Sequence, residues 1–173
     1  MSDASSGSSI IRTTAFADIP GEISLTRKAI ERIPADRMDW RPHERSMTVG
    51  ELATHMVNLL SWAQSALTAD GYDMAETPES ARDVPPLAEL LERFDRETEA
   101  LIEVLEGVSD AALGEPWTLR HGEHVVFTMP RSAVLRSACL SHVIHHRGQL
   151  TVDLRLMGES VPSIYGPSAD EEA

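Results

Sequence analysis

Cations are scarce in this chain. Fifteen Lys and Arg stand against 28 Asp and Glu in 173 residues, a formal net charge of −13. Binding along a phosphate backbone needs clustered cations, so nucleic acid is excluded as a broad partner, and an anionic membrane surface with it. Long apolar runs are missing too. No stretch approaches the ~20 residues of a spanning helix. Met1 to Ser9 is Ser-rich, with no basic residue and no apolar core, unlike a secretory leader. The single cysteine, Cys139, excludes an intrachain disulfide and fits a reducing compartment, so the cytoplasm is the default location. What remains is ordinary for one globular domain: 42% hydrophobic and 25% charged residues, in a chain long enough to bury a core. Much of the acid lies in runs, Asp70 to Glu79, Glu89 to Glu106 and Asp170 to Glu172, which read as solvated faces and a tail.

Residues 1–14 read as a flexible arm and 15–173 as one domain. A first helix is expected over Phe16 to Ile33, where Ile19, Ile23, Thr26, Ile30 and Ile33 recur at helical steps and Pro34 stops the ladder. Thr48-Val49-Gly50-Glu51 has the form of a capping box and opens a second helix to about Ala69. Leu52, His55, Leu59, Trp62 and Ala66 share its inner face, so His55 points inward. Asp70 to Val84 reads as a loop. A third helix follows Pro85-Pro86 and ends at Gly107, with Leu87, Leu91, Phe94, Leu101 and Leu105 as its apolar stripe. Trp117 to Arg120 and Val125 to Thr128 flank Gly122 as a short β-hairpin. Pro130 begins a fourth, long helix to Met157, with Gly158 as its C-cap. The expected fold is all-α, a four-helix bundle with a short hairpin inserted before the last helix.

The chemistry concentrates in His142-Val-Ile-His145-His146-Arg147-Gly148-Gln149. His142 and His146 are four residues apart, one above the other on a helix, and two such imidazoles can share one metal ion. On a helical wheel Leu135, Cys139, His142, His146, Gln149 and Asp153 fall in one wedge, which puts ligand-type groups on a stripe that ought to be core. Burying polar groups without partners costs roughly 1–3 kcal/mol each, a cost that a metal or a hydrogen-bonded polar cleft would relieve. The pair alone leaves both open, since buried histidines often bond only to carbonyls. His55, inward on another helix, is the best third ligand. Three imidazoles leave a coordination position open, the mark of a reactive metal site; imidazole suits zinc, nickel or iron. His145 turns about 100° away from His146. His121, His124 and His43 belong to a turn and a connector. Cys139 is a soft fourth ligand or a small core filler. Glu51 and Asp153 are the acids nearest the two ligand faces. Arg147 lies opposite the metal stripe, and apolar residues on that far side imply that the last helix is covered on both faces, for which a second subunit is one source.

Thr48-Val-Gly-Glu-Leu-Ala-Thr-His55, Met129-Pro-Arg-Ser-Ala-Val-Leu-Arg136, His142 to Leu150 and the tail Val161-Pro-Ser-Ile-Tyr-Gly-Pro167 together resemble the DinB family of DinB/YfiT-like proteins. The resemblance runs from about residue 14 to 172. It implies a homodimeric four-helix bundle with a divalent metal, nickel or zinc, on His55, His142 and His146. It also implies use of a low-molecular-weight thiol, since some relatives look like metal-dependent thiol transferases. The leading expectation is a metal-dependent S-transferase acting on a small-molecule substrate. The alternatives are a metal-dependent hydrolase, which would need a general base, and a non-catalytic metal-stabilised binding or stress-response module, which would need a closed ligand shell.

Overall fold

The structure, a computed structural model, describes residues 10–172. The arm expected at 1–14 falls mostly outside these residues. Its last part is helical: α1, Ile10–Ala15, whose start is held by Asp110, which accepts from the backbone N–H of Ile10 at 3.0 Å. Helix α2 spans Ile19–Ile30 and α3 spans Val49–Thr68. The capping box is as the sequence predicts: Thr48 Oγ1 accepts from Glu51 N at 3.0 Å, and Glu51 Oε2 accepts from Thr48 N at 2.7 Å. Helix α4 is Leu87–Gly107 and the short α5, Asp110–Gly114, is capped by Ser109. On α4 the buried stripe is Leu90, Phe94, Leu101 and Leu105, whereas Leu87 and Leu91 are only half-buried.

The last helix is not one regular cylinder. It runs as α6, Arg131–Ala133, then a π-helical segment, Val134–Leu140, then α7, Ser141–Met157. The N–H of Ser141 reaches back five residues to Arg136 O, the i→i+5 pattern that shifts side-chain phase. The predicted wedge therefore splits. Leu135 and Cys139 enter the apolar core with Ile23 and Leu60, while His142 and His146 turn toward α3. Gly158 closes α7 at φ +83°, a left-handed position that suits glycine.

The expectation of an all-α bundle with one hairpin needs correction: the fold is mostly helical with a small three-stranded sheet. Strands β2, Pro116–His121, and β3, His124–Pro130, form the hairpin. Strand β1, Gly71–Asp73, adds to it in parallel through Tyr72 opposite Leu119. Three residues carry no periodicity, so the sequence reads this stretch as loop. Only glycine fits at position 71, because a Cβ there would lie 2.4 Å from Thr118 O. The sheet packs Trp117 and Leu119 against Ala66 and Val134 in a second, smaller core.

The main core joins α2, α3, α4, the π segment and α7, with Ile19, Ile30, Met56, Phe94, Leu150 and Leu154 at 0–1% exposure. Each such side chain contributes about 1.5–3 kcal/mol. The far side of α7 is covered from within the chain, by α2 and the C-terminal tail. Arg147, 1% exposed, donates to Glu22 Oε2 at 2.7 Å, Glu22 O at 2.9 Å and Tyr165 Oη at 2.7 Å. Tyr165 in turn donates to Glu22 Oε2 at 2.8 Å. A buried guanidinium is tolerable because charge and donors are both met.

Candidate metal centre

Helices α3 and α7 bring His55, His142 and His146 together. One ligand nitrogen from each lies within 4.8 Å of the others, and these three alone form such a group of His, Cys, Asp or Glu among the described residues. Ring centroids are 4.6 to 5.0 Å apart. His55 Nε2 is 3.4 Å from His142 Nε2. Two nitrogens held tetrahedrally at zinc distances would be about 3.3–3.4 Å apart, so this pair already has ligand spacing.

The tautomers are set from outside. His146 Nδ1 lies 2.6 Å from Gln149 Oε1, and His142 Nδ1 lies 3.3 Å from the Ala138 carbonyl oxygen. Such oxygens only accept, so Nδ1 carries the proton and each Nε2 keeps a lone pair. His146 Nε2 is buried and has no hydrogen-bond partner. An orphaned acceptor is costly alone and suited to a cation. Burial pushes the His55 imidazole down to about 4, helped by His146 and His142. Burial also lowers His146, against the pull of its bond to Gln149. Neutral imidazoles are what ligation requires, so the donor set fits a divalent metal.

The other groups weighed from sequence stand apart. Cys139, 2% exposed, lies among Ile19, Ile23 and Leu135, and burial pushes its thiol up to about 12. Glu51 is engaged by its helix cap. Asp153 faces a separate groove with Gln149 and His145, its pKa raised by burial. His145 is exposed, its ring 5.0 Å from that of His146. His43, His121 and His124 are exposed and do not join the three-histidine group.

Two grooves reach the histidines. One of about 470 Å³ has His55, Thr54 and Asn58 on α3 facing Arg41, Arg45 and Arg82. The other, about 420 Å³, reaches His55 and His142 past Trp62 and Met74. Asn58 ties them: its amide donates to Ala81 O at 2.8 Å and pins the 79–82 turn against α3. Sequence reasoning missed the roles of Gln149, the Ala138 carbonyl and the arginine groove. The wheel puts Gln149 in the wedge without saying that it reaches His146, while the groove joins segments distant in the chain.

Comparison with known proteins bears on the family and the fold. The DinB family model matches residues 8–173. Uncharacterized protein YrdA of Bacillus subtilis (strain 168) is 27% identical over 158 residues, covering 88% of this chain and 86% of that protein. A DinB-like protein from Bacillus cereus ATCC 10987 superposes with a TM-score of 0.69 at 23% identity, over 87% of this chain and 95% of that one. The DinB-like protein YjoA from Bacillus subtilis superposes with a TM-score of 0.66 at 21% identity, over 86% and 94%. These structures share the fold.

Proposed function

The chain belongs to the DinB family, and on that premise we propose that it is a metal-dependent enzyme that transfers a low-molecular-weight thiol to an electrophilic small molecule. His55, His142 and His146 would hold zinc or nickel. The observation that carries this is the convergence of three imidazoles around the partnerless Nε2 of His146. A bound divalent ion supplies Lewis acidity, which lowers the pKa of a coordinated thiol or water.

The chain's own residues do the rest. Gln149 and Ala138 fix the ring orientations. The two grooves, which share His55, Asn58, Ala81 and Arg82, offer space for a thiol and an acceptor beside the histidines. In the transfer the sulfur–carbon bond forms, the leaving group departs with its electron pair, and the thiol proton passes to solvent. No carboxylate joins the histidines among the described residues. Hydrolysis, which needs a base to take a proton from water, therefore has less support than thiol transfer, as does a closed, non-catalytic shell.

We read the four long helical segments as a four-helix bundle, and the protein as a cytoplasmic homodimer. No helix among the described residues is long and apolar enough to cross a membrane. Val152 and Leu156, 59% and 63% exposed on α7, support a subunit contact. The test is metal content together with thiol consumption in the presence of a generic electrophile. Wild type should retain metal and accelerate thiol loss, and His146→Ala should do neither. Equal rates in the two proteins refute the reading.

A further inference from the structure

The sequence is poor in cations, and most of those present are engaged. Arg27, Arg32, Arg120, Arg131, Arg136, Arg147 and Arg155 each pair with a carboxylate. Arg12 and Arg37 bond to backbone carbonyls, and Arg93 bonds to Asn58. Among the described residues the basic side chains with no hydrogen bond or ion pair are Lys28, Arg41, Arg45, Arg82 and Arg96. Three of these five, Arg41, Arg45 and Arg82, line one groove, and that groove ends at His55.

A second, independent feature marks the same place. Thr54, 2% exposed, lines the groove beside His55, and its hydroxyl has no partner. A helical threonine ordinarily bonds back to the carbonyl four residues earlier; Thr26 does so to Glu22 O at 2.8 Å. Thr54 does not, and keeps a donor and an acceptor free.

We propose that this groove is a carboxylate-binding subsite: Arg41, Arg45 and Arg82 pair with the carboxylate of a small-molecule ligand whose other end reaches the histidine centre. Guanidinium forks match carboxylates in two-point geometry. The groove, about 470 Å³, has the size of a small-molecule site. Glu44 and Glu51 also line it, and their charges disfavour a dianionic phosphate more than a single carboxylate. Asn58 holds Arg82 in position through the 79–82 turn. In a chain of net charge −13 this local excess of cations selects the anionic end of a ligand and orients it. The subsite deepens the proposed function, which supplies the reacting end, but its carboxylate recognition rests on the arginines alone.

The test is calorimetric titration of the full chain, metal-loaded and chelator-treated, with the monocarboxylate butyrate, its neutral analogue butyramide, and inorganic phosphate. Butyrate should bind both forms, weaken with salt, and bind better than butyramide or phosphate. A variant combining Arg41→Gln, Arg45→Gln and Arg82→Gln should lose about thirtyfold in affinity, at about threefold for each exposed charge pair. Arg96→Gln, on α4, should match wild type. No butyrate binding to wild type, unchanged binding in the triple variant, equal binding of butyramide, or a preference for phosphate overturns the proposal. Metal content in the same samples separates it from the metal reading: butyrate binding by protein that takes up no metal on loading supports the subsite and removes the metal centre.

Discussion

Arg147 follows directly after His146, and replacing it with methionine tests how α7 is held. Its guanidinium is the only cation paired with Glu22 among the described residues, and the two side chains are 2% and 11% exposed. Arg147→Met keeps the apolar stem and removes the charge. Glu22 is then left in the interior with Tyr165 as its remaining side-chain donor, and the Glu22 carbonyl loses the bond it accepted at 2.9 Å. Breaking one side of such a buried pair costs about 3–5 kcal/mol, mostly the desolvated charge left behind. In urea, with a slope of about 2 kcal/mol per molar, the midpoint should fall by about 2 M. Combining Arg147→Met with Glu22→Leu should recover much of the loss, because no charge then remains buried; the excess over additivity measures the coupling. Equilibrium unfolding followed by circular dichroism at constant slope reads both. A midpoint shift under about 0.5 M, or a double variant as unstable as the sum of the singles, would refute the reasoning.

Two further outcomes follow from the histidine centre. His55 has its pKa lowered from 6.5 to about 4. In metal-free protein the unfolded chain therefore takes up that proton first, so the stability due to His55 is complete above pH 6.5 and drains away toward pH 4. Melting temperature against pH in the presence of chelator should fall through that window, and less steeply in His55→Gln. Gln149→Ala removes the acceptor of the His146 Nδ1 proton, and should weaken zinc binding about tenfold. Because Gln149 is exposed and water can take its place, the low end of the range is expected; competition against a chromophoric chelator measures it, and an unchanged affinity counts against the orienting role.

Several elements were legible without coordinates because their signals are local. The capping box at Thr48 and Glu51 and the φ > 0 position at Gly158 are decided within a few residues. So is the four-residue spacing of His142 and His146, and the amphipathic pattern of α3 put His55 on its inner side. The failures share a cause as well. Strand β1 exists because Gly71 can approach Thr118 in the finished fold, and three residues have no pattern of their own. The π segment breaks the wheel between Cys139 and His142, so the stripe that offered Cys139 as a ligand joins two different environments. The contacts of Arg147 with Glu22 and Tyr165 on the far side of α7 likewise join segments distant in the chain.

By itself the sequence determined that this is a negatively charged, mostly helical domain with two imidazoles one turn apart and a third facing inward. Short-range periodicity and capping chemistry depend only on neighbours in the chain. Only the tertiary structure decided that the three rings meet with ligand spacing, that His146 Nε2 is left without a partner, and that Arg41, Arg45 and Arg82 open toward His55. Those facts rest on distances between segments far apart in sequence, which packing fixes and local pattern does not encode.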